Sequence, residues 1–229
     1  LRDKVVITID GASSKDLDDA VSLERDGLGR WVLGVHIADV SHYVRPGSAL
    51  DLEAWERGTS VYFADQVVPM LPRELSNGIC SLNPRVDRLA LSCVMTLTPE
   101  GEVVDHTIAK SVIRTTERMT YEDCNALLAH SDPALAERYA RILPMLEDMA
   151  ALSRVLEGRR RRRGALELDT RESYVVCDES GTPVDVVLRT PGISEGLIES
   201  FMLAANECVA EHLNRLDKPC VYRGHEKTS

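Results

Sequence analysis

Hydrophobic residues in the first part of the chain fall into short runs that predict strands. Val5 to Ile9 is a β-branched run, and Trp31 to Ile37 alternates apolar and polar positions. We expect these two segments to be strands that pair across the polar stretch from Glu24 to Arg30. Between them, Asp10 to Ala20 is rich in Gly, Ser and Asp, which favours a loop over a strand or a helix.

The middle of the chain predicts a short helix, an irregular stretch and a hairpin. Ser48 is a suitable cap for a helix ending at Arg57, and several prolines disfavour regular structure from Val67 to Leu82. Arg88 to Thr98 and Glu102 to Arg114 have the length and composition of paired strands. They are separated by a short turn that contains Pro99 and Gly101, so a hairpin is expected.

The second half of the chain is mainly helical in its pattern. Apolar residues at helical spacing predict two helices, followed by a second hairpin, another helix and a last strand. The expected segments are Thr120 to about His130, Pro133 to about Arg163, Tyr174 to Cys177 with Val184 to Leu188, Ser194 to Leu216, and Cys220 to Tyr222. No repeat or low-complexity linker divides residues 1–229. The chain is therefore expected to be one α+β domain, with a mixed β-sheet and flanking helices.

Composition limits the classes of protein to which the chain can belong. Hydrophobic residues make up 44% of it and charged residues 28%, and no apolar run approaches the ~20 residues of a membrane helix. The net charge of −10 repels nucleic acid unless a local basic surface or bound cations offset it. Six scattered cysteines and no visible signal peptide favour reduced thiols and a cytoplasmic protein with no membrane contact.

The strongest candidate for chemistry is a group of aspartates in the segment TIDGASSKDLDDAV. Asp10, Asp16, Asp18 and Asp19 are opposed there by one positive charge, Lys15. Two such charges ~4 Å apart repel by ~1 to 4 kcal/mol, so either hydration or a cation must offset them. Hard oxygen ligands on one loop suit Mg²⁺ or Mn²⁺. A calcium EF-hand is excluded because the twelfth residue counted from Asp16 is Gly27 instead of Glu.

Longer segments carry a specific resemblance to a known family. TIDGASSKDLDDAV is followed by VHIADVSHYVRPGSALDLEAWERGTSVY and then by VPMLPRELSNGICSLNPRVDRLALS; RRRRRGALELDT, IESFMLAANECVAEHL and YRGHEKTS come later in the chain. Together they resemble the catalytic (RNB) domain of the ribonuclease II and ribonuclease R family. The four aspartates fall on the positions of that family's catalytic aspartates in type and in spacing.

The resemblance implies processive, hydrolytic 3′ to 5′ degradation of single-stranded RNA to nucleoside 5′-monophosphates with magnesium. It also implies that residues 1–229 are the N-terminal portion of the catalytic domain. The family's cold-shock and S1 domains, and its arginine-bearing segment that grips the scissile phosphate, have no counterpart in the chain. We therefore expect this portion alone to have little or no activity. A catalytically dead RNA-binding module is the alternative. The sequence does not indicate an oligomeric state.

RNA contacts are also implied by the resemblance. Tyr62 falls where the family has an aromatic ring that stacks on bases at the RNA 3′ end. The alternative is that Tyr62 is a structural residue, half-buried at the end of a strand. Leu168 stands where the family often has a second stacking Phe. Five arginines, Arg159, Arg160, Arg161, Arg162 and Arg163, are interpreted either as a phosphate-contacting edge or as a solvated helix end.

A few polar residues have a simpler interpretation. His36, His42 and His225 are more typical of structural residues than of ligands. Ser194 lies in a GxSxG pattern, as does the nucleophile of a serine hydrolase, with Asp217 and His225 following it. A helix N-cap at Ser194 explains the same residue, since Ser is favoured there.

Overall fold

The computed structural model describes residues 1–64, 66–165, 172–178 and 180–224. Its main sheet has the strand order β7-β6-β3-β2-β1-β8. The strands are Ile7–Asp10 (β1), Asp19–Arg25 (β2), Trp31–Ala38 (β3), Asp87–Leu97 (β6), Val103–Arg114 (β7) and Glu117–Thr120 (β8). All neighbours are antiparallel except β1 and β8, which are parallel, so the predicted mixed sheet is confirmed.

The prediction that the first two hydrophobic runs pair directly is wrong. β2 lies between them, where Val21 pairs with Ile7 of β1 and with Val35 of β3. This strand is hard to recognise in the sequence because Asp19 opens it and Glu24 and Arg25 close it. Its middle residues, from Ala20 to Leu23, are buried, so packing against the rest of the sheet stabilises a segment whose ends favour a loop.

The hairpin of β6 and β7 is confirmed, and its turn contacts a helix. Gly101 has a φ of 79°, which glycine adopts without strain. A Cβ atom at this position would lie 2.9 Å from Val155 Cγ1 and 3.3 Å from Arg159 Cδ. The turn therefore packs closely on the C-terminal half of the helix that carries the arginine run.

The helices of the second half are Tyr121–Leu128 (α3), Pro133–Arg138 (α4), Leu143–Arg162 (α5) and Ile193–Arg215 (α6). Thr120 caps α3 by accepting a hydrogen bond from Asp123 N. The prediction of a single helix from Pro133 to Arg163 is wrong, because this range forms two helices, α4 and α5. Pro144 lies in the first turn of α5, where its missing N–H is tolerated, whereas in a helix interior it would break a hydrogen bond.

Helices α3, α5 and α6 pack on one face of the sheet and form the larger core. Fully buried side chains here include Ile9, Leu33, Met95, Leu146 and Phe201. A second, smaller core contains Val6, Leu17, Ala20, Ala38, Cys80, Leu82, Ala90 and Ile113. The main core consists mostly of aliphatic residues, as expected for a chain with 2 Phe and 2 Trp, and its buried aromatic residues are Trp31, Tyr139 and Phe201.

The segment between β3 and β6 contains Val40–Tyr43 (α1), Ala49–Arg57 (α2), Val61–Tyr62 (β4), Val67–Val68 (β5) and a π-helix, Glu74–Ile79. Ser48 caps α2, as predicted. The expectation of irregular structure from Val67 to Leu82 is wrong in part, because the π-helix and β5 lie within it. The prolines in this range fall outside those two elements.

A second hairpin joins Glu172–Cys177 (β9) and Pro183–Arg189 (β10) and confirms the predicted pairing. The strand predicted at Cys220 to Tyr222 is wrong: this segment is irregular and exposed, with no partner strand among the described residues. Among all the described residues, none of the helices has the length and hydropathy needed to cross a membrane.

A buried polar chain crosses four strands of the main sheet. His36 Nε2 lies 3.1 Å from Ser22 Oγ, and His36 Nδ1 lies 2.7 Å from Ser92 Oγ, which in turn lies 2.6 Å from Ser111 Oγ. Burial lowers the pKa of His36 to about 4, so the ring is neutral near pH 7. The prediction that His36 is a structural residue is confirmed.

Gly34→Ala should destabilise the fold by about 1–3 kcal/mol, because a Cβ atom there would lie 2.8 Å from His36 Nε2 and would clash with Ser22 Oγ. Urea denaturation measures the loss. Gly27→Ala is the matched control, since a Cβ atom at Gly27 would meet nothing within 4 Å. Equal stability of the two variants would contradict the close packing at Gly34.

Candidate functional site

The acidic loop between β1 and β2 is fixed to the body of the domain by backbone hydrogen bonds. Leu17 is buried, its N–H donates to Ser81 Oγ at 3.0 Å, and its carbonyl accepts from Leu82 N at 2.8 Å. Ser81 Oγ also donates to Lys15 O at 2.8 Å. Ala38 N donates to Asp18 O at 2.9 Å, which joins the loop to the end of β3. The loop thus has a defined conformation.

Two adjacent strands bring the four aspartates to one end of the sheet. Asp10 is the last residue of β1 and Asp19 is the first residue of β2, while Asp16 and Asp18 lie in the loop between them. Asp18 is exposed and the other three are half-buried. The fold therefore places the four predicted aspartates at the same end of the sheet, and their role in metal binding stays a prediction.

Burial, and to a smaller extent neighbouring negative charge, raises the pKa of three of these carboxyl groups. Burial and then the charge of Asp19, with smaller contributions from Asp16 and Asp18, raise the pKa of Asp10 to about 7, against the opposing effect of Arg118. Although Asp18 is exposed as a residue, protein atoms around its carboxyl group displace part of its water, and this effect, followed by the charges of Asp16 and Asp19, raises its pKa. Burial raises the pKa of Asp19. Without a bound cation, keeping these carboxyl groups ionised in the folded chain therefore costs free energy.

The donor atoms of this group suit a hard divalent cation. Oxygen Oδ2 of Asp10 is buried and has no hydrogen-bond partner in the described part of the chain. Buried carboxylate oxygens are ordinarily paired, so this atom lacks a partner that a cation would supply. Among the described residues, no group of three or more His, Cys, Asp or Glu side chains is arranged so that it could hold a metal ion. Magnesium does not need such a group, because it retains waters and binds substrate phosphates beside one or two carboxylates.

Sequence reasoning missed two residues that shape this site. Ser81 is 64 positions from Leu17, and Arg118, in β8, is 106 positions from Ala12, whose carbonyl it binds at 3.0 Å. Neither residue lies in a spacing pattern with the aspartates. The parallel pairing of β1 with β8 brings Arg118 to the loop, and that pairing has no local signal in the sequence.

Tyr62 lies in the segment that leaves the sheet at the same end as the aspartates. β3 ends at Ala38, which is hydrogen-bonded to Asp18, and the chain then passes through α1 and α2 to β4. The Tyr62 side chain is 68% exposed, so the interpretation as a half-buried tyrosine is wrong. Phe63 and Trp55 are exposed nearby in the sequence, at 56% and 86%. The ring of Tyr62 is accessible to a ligand.

The arginine run lies at the opposite end of the sheet. Arg159 contacts the turn at Gly101, which follows the end of β6. This end of β6 pairs with Trp31 at the start of β3, and Trp31 pairs in turn with Arg25 at the end of β2. The seven residues of β2 separate the two ends by about 20 Å. The run therefore does not line the acidic site, and any contact that it makes with RNA would be with phosphates distant from the aspartates.

Within the described residues, Arg160, Arg161 and Arg163 pair with glutamates. Arg160 contacts Glu199 of α6, Arg161 contacts Glu157 of α5, and Arg163 contacts Glu207 of α6 at 2.8 Å. These contacts favour the interpretation as a solvated helix end that also joins α5 to α6. RNA binding by Arg159 to Arg163 stays a prediction. Leu168 and His225 lie outside the described residues.

The serine-hydrolase interpretation finds no support at Ser194. This residue is fully buried, and its Oγ lies 3.2 Å from Tyr121 O and 3.1 Å from Glu195 Oε2. The proposed N-cap at Ser194 is also wrong, since the cap is Gly192, whose N–H donates to Glu195 Oε2 at 2.9 Å. A nucleophilic hydroxyl must be accessible to an ester, and this one is not.

Carboxylates at one end of a sheet are ligands of the kind that metal-dependent phosphodiester hydrolysis uses. Comparison with known proteins defines the class of this α+β domain. The sequence model of the RNB domain matches residues 1–229, and the chain belongs to that family. Ribonuclease R 1 of Lactococcus lactis is 54% identical over 226 residues, and ribonuclease R of Thermotoga maritima is 49% identical over 228. Each alignment covers 99% of this chain.

Solved structures agree with this assignment. Mycoplasma genitalium RNase R in complex with ribose-methylated single-stranded RNA superposes with a TM-score of 0.87 at 32% identity, covering 95% of this chain and 33% of that one. Yeast Ssd1, described as a pseudonuclease, has a TM-score of 0.73 at 20% identity, which shows the shared fold alone. The chain spans 28% of the Lactococcus lactis relative and 32% of the Thermotoga maritima one.

Proposed function

We propose that this chain is the metal-binding portion of an exoribonuclease that degrades single-stranded RNA processively from its 3′ end by hydrolysis, releasing nucleoside 5′-monophosphates. The proposal is supported by the family assignment and by the acidic loop with its buried, unpaired Asp10 oxygen. The ribonuclease R relatives indicate the type of reaction. The direction, the products and the processivity are part of the proposal.

Asp10, Asp16, Asp18 and Asp19 would hold Mg²⁺, with Mn²⁺ as a substitute. When bound, divalent ions supply a nucleophilic water at neutral pH and neutralise charge on the reacting phosphate and the leaving oxygen. Asp18 is the exposed member of the group, so we assign it the role closest to the phosphate. Half-buried Asp10 and Asp19 would fix the cation against the ends of β1 and β2.

The buried Asp10 oxygen is the observation that carries the proposal. A carboxylate placed only for stability would be hydrogen-bonded or exposed, whereas this one is part-buried, beside three other aspartates, with a raised pKa. Such an arrangement costs stability and is typical of functional sites. It also explains how an acidic chain can act on RNA, because bound cations reverse the local field.

One experiment tests the direction and the metal requirement together. The full-length enzyme is incubated with single-stranded RNA labelled at the 5′ or at the 3′ end, with magnesium or with a chelator. The proposal expects a 5′-labelled ladder that shortens from the 3′ end, early release of a 3′-labelled mononucleotide, and no reaction in chelator. Cleavage that persists in chelator, or internal cuts, would contradict it. RNA binding without cleavage would indicate the catalytically dead module.

Tyr62→Ala should lengthen the shortest undegraded product of the full-length enzyme. The exposed ring is proposed to stack on a base near the 3′ end, a contact worth about 1–3 kcal/mol that accepts every base. Without it a short RNA has too few contacts to remain bound. Tyr174→Ala, which removes a ring that is 52% exposed on β9, is the matched control. An end product of unchanged length in both variants would remove Tyr62 from the binding site.

The thiols support a reducing compartment for the enzyme, which we take to be the cytoplasm. All six cysteines have free thiols: Cys80, Cys93, Cys124, Cys177, Cys208 and Cys220. Burial raises the pKa of Cys93 and of Cys124 to about 12, so these two thiols are unreactive.

A further inference from the structure

Arg118 lies beside the acidic site without belonging to the group of aspartates. In the parallel pairing of β1 with β8, Arg118 is the partner of Thr8 and Thr120 is the partner of Asp10. Paired residues on neighbouring strands point to the same face, as do residues two apart on one strand. The Arg118 side chain therefore emerges on the face that carries Thr8 and Asp10.

The guanidinium of Arg118 binds the backbone of the acidic loop at two points. Its Nη2 donates to Ala12 O at 3.0 Å and to Ser14 O at 2.7 Å. These carbonyls belong to a tight turn in which Ser14 N donates to Gly11 O at 3.0 Å. The turn connects Asp10 to Asp16, so Arg118 holds the part of the loop that sets the distance between these two residues.

The other part of the loop is held by Ser81. This hydroxyl joins Lys15 O and Leu17 N, on the side of the loop next to Asp18 and Asp19. Residues 12–17 are thus fixed from two directions, by Arg118 from β8 and by Ser81 from the segment before β6. Loss of one anchor would free one half of the loop and leave the other half in place.

Buried polar atoms with no hydrogen-bond partner are concentrated around the same position. In the part of the chain that the structure describes, they include Thr8 Oγ1, Asp10 Oδ2 and Arg118 Nε, which come from adjacent positions on β1 and β8. Native proteins leave few such atoms unpaired. Their concentration beside Asp10 leaves hydrogen-bonding capacity for a ligand or its water.

We propose that Arg118 is the positioning residue of the acidic site: by holding the carbonyls of Ala12 and Ser14, it keeps Asp16 next to Asp10 for cation binding. The inference rests on the proposed function, since it concerns the same site. We assign Arg118 a positioning role because its guanidinium contacts the backbone of the acidic loop.

The direction in which metal affinity changes when Arg118 is replaced distinguishes a positioning role from a simple effect of its charge. A positive side chain near a cation site repels the cation, so removal of its charge alone would tighten metal binding. A positioning residue has the opposite effect, because its loss lets the repelling carboxylates separate. Loss of a residue that orients metal ligands typically weakens metal affinity by about 10- to 100-fold.

The test measures Mn²⁺ binding to this 229-residue chain by titration calorimetry at pH 8. Arg118→Met removes both the charge and the hydrogen bonds, and Arg118→Lys keeps the charge on a shorter side chain without the planar guanidinium. We expect affinity about 10- to 100-fold weaker for Arg118→Met and an intermediate value for Arg118→Lys. Arg85→Met is the matched control, because Arg85 binds the neighbouring Glu117 and should leave affinity unchanged.

Circular dichroism and a thermal melt establish that each variant is folded. Equal or tighter Mn²⁺ binding by folded Arg118→Met would overturn the inference. If Arg118→Met does not fold, Arg118→Lys decides: weaker binding supports the inference and wild-type affinity overturns it. Failure of the wild-type chain itself to bind Mn²⁺ would instead overturn the proposed function, so the two failures are distinguishable.

Discussion

Asp18→Asn should reduce RNA cleavage by the full-length enzyme by about 10²- to 10³-fold, the loss typical of removing one group that stabilises charge in a transition state. The substitution preserves the shape of the side chain and removes its charge. Asp18 is exposed, and its backbone carbonyl is fixed by Ala38 N, so the loop should keep its conformation. Single-turnover cleavage of a labelled RNA measures the rate.

RNA binding should change little in the same variant, because affinity for RNA comes from many contacts with bases and phosphates. The matched control is Asp105→Asn on β7, an exposed aspartate whose Oδ1 accepts a hydrogen bond from its neighbour His106 N. Both substitutions remove one negative charge from the chain. Cleavage at the wild-type rate by Asp18→Asn would remove Asp18 from the chemistry, and equal losses in the two variants would indicate an effect of net charge.

Local patterns were sufficient to predict the elements that have strong end signals. The hairpin of β6 and β7 has a Pro and a Gly in its turn, and α2 and α3 begin at Ser48 and Thr120, whose hydroxyls cap the helices. These features depend on residues close together in the sequence. The aspartate segment was also recognisable, because its four carboxylates lie within ten residues and the strand before it fixes where the loop begins.

Features that depend on distant residues were not predictable. β2 has charged ends and is a strand because β1 and β3 bury its middle. The pairing of β1 with β8 joins segments more than 100 residues apart, and it alone brings Arg118 to the acidic loop. The position of the arginine run also depends on the sheet topology, which places the turn that contacts α5 at the end of the sheet away from the aspartates.

Stability of the metal-free chain should fall as pH rises from about 4 to about 7 because of Asp10. The ordinary pKa of an aspartate is 3.8 and that of Asp10 in the fold is about 7, so over this range the folded state holds a proton that the unfolded state has lost. Stability decreases with pH where the folded state binds more protons. The opposite effect comes from His36, whose lowered pKa costs stability as pH falls below about 6.5.

Comparison with Asp10→Asn isolates the contribution of Asp10 from those of His36 and the other groups. Each pKa unit corresponds to about 1.4 kcal/mol, and water at this half-buried position should reduce the total to about 1–2 kcal/mol. At pH 8 without metal, Asp10→Asn should therefore melt about 2–8 °C above the wild type, and near pH 4 the two should coincide. Calorimetric melts at both pH values measure the difference.

Magnesium should reverse this order at pH 8. A cation that binds only the folded chain raises the melting temperature, and the wild type should gain from it while Asp10→Asn gains little. Near pH 4, where Asp10 is protonated, magnesium should have a small effect on either protein. A melting difference between the two proteins that is independent of pH and of magnesium would show that Asp10 is not strained by its charge, and the buried oxygen would then need an explanation other than cation binding.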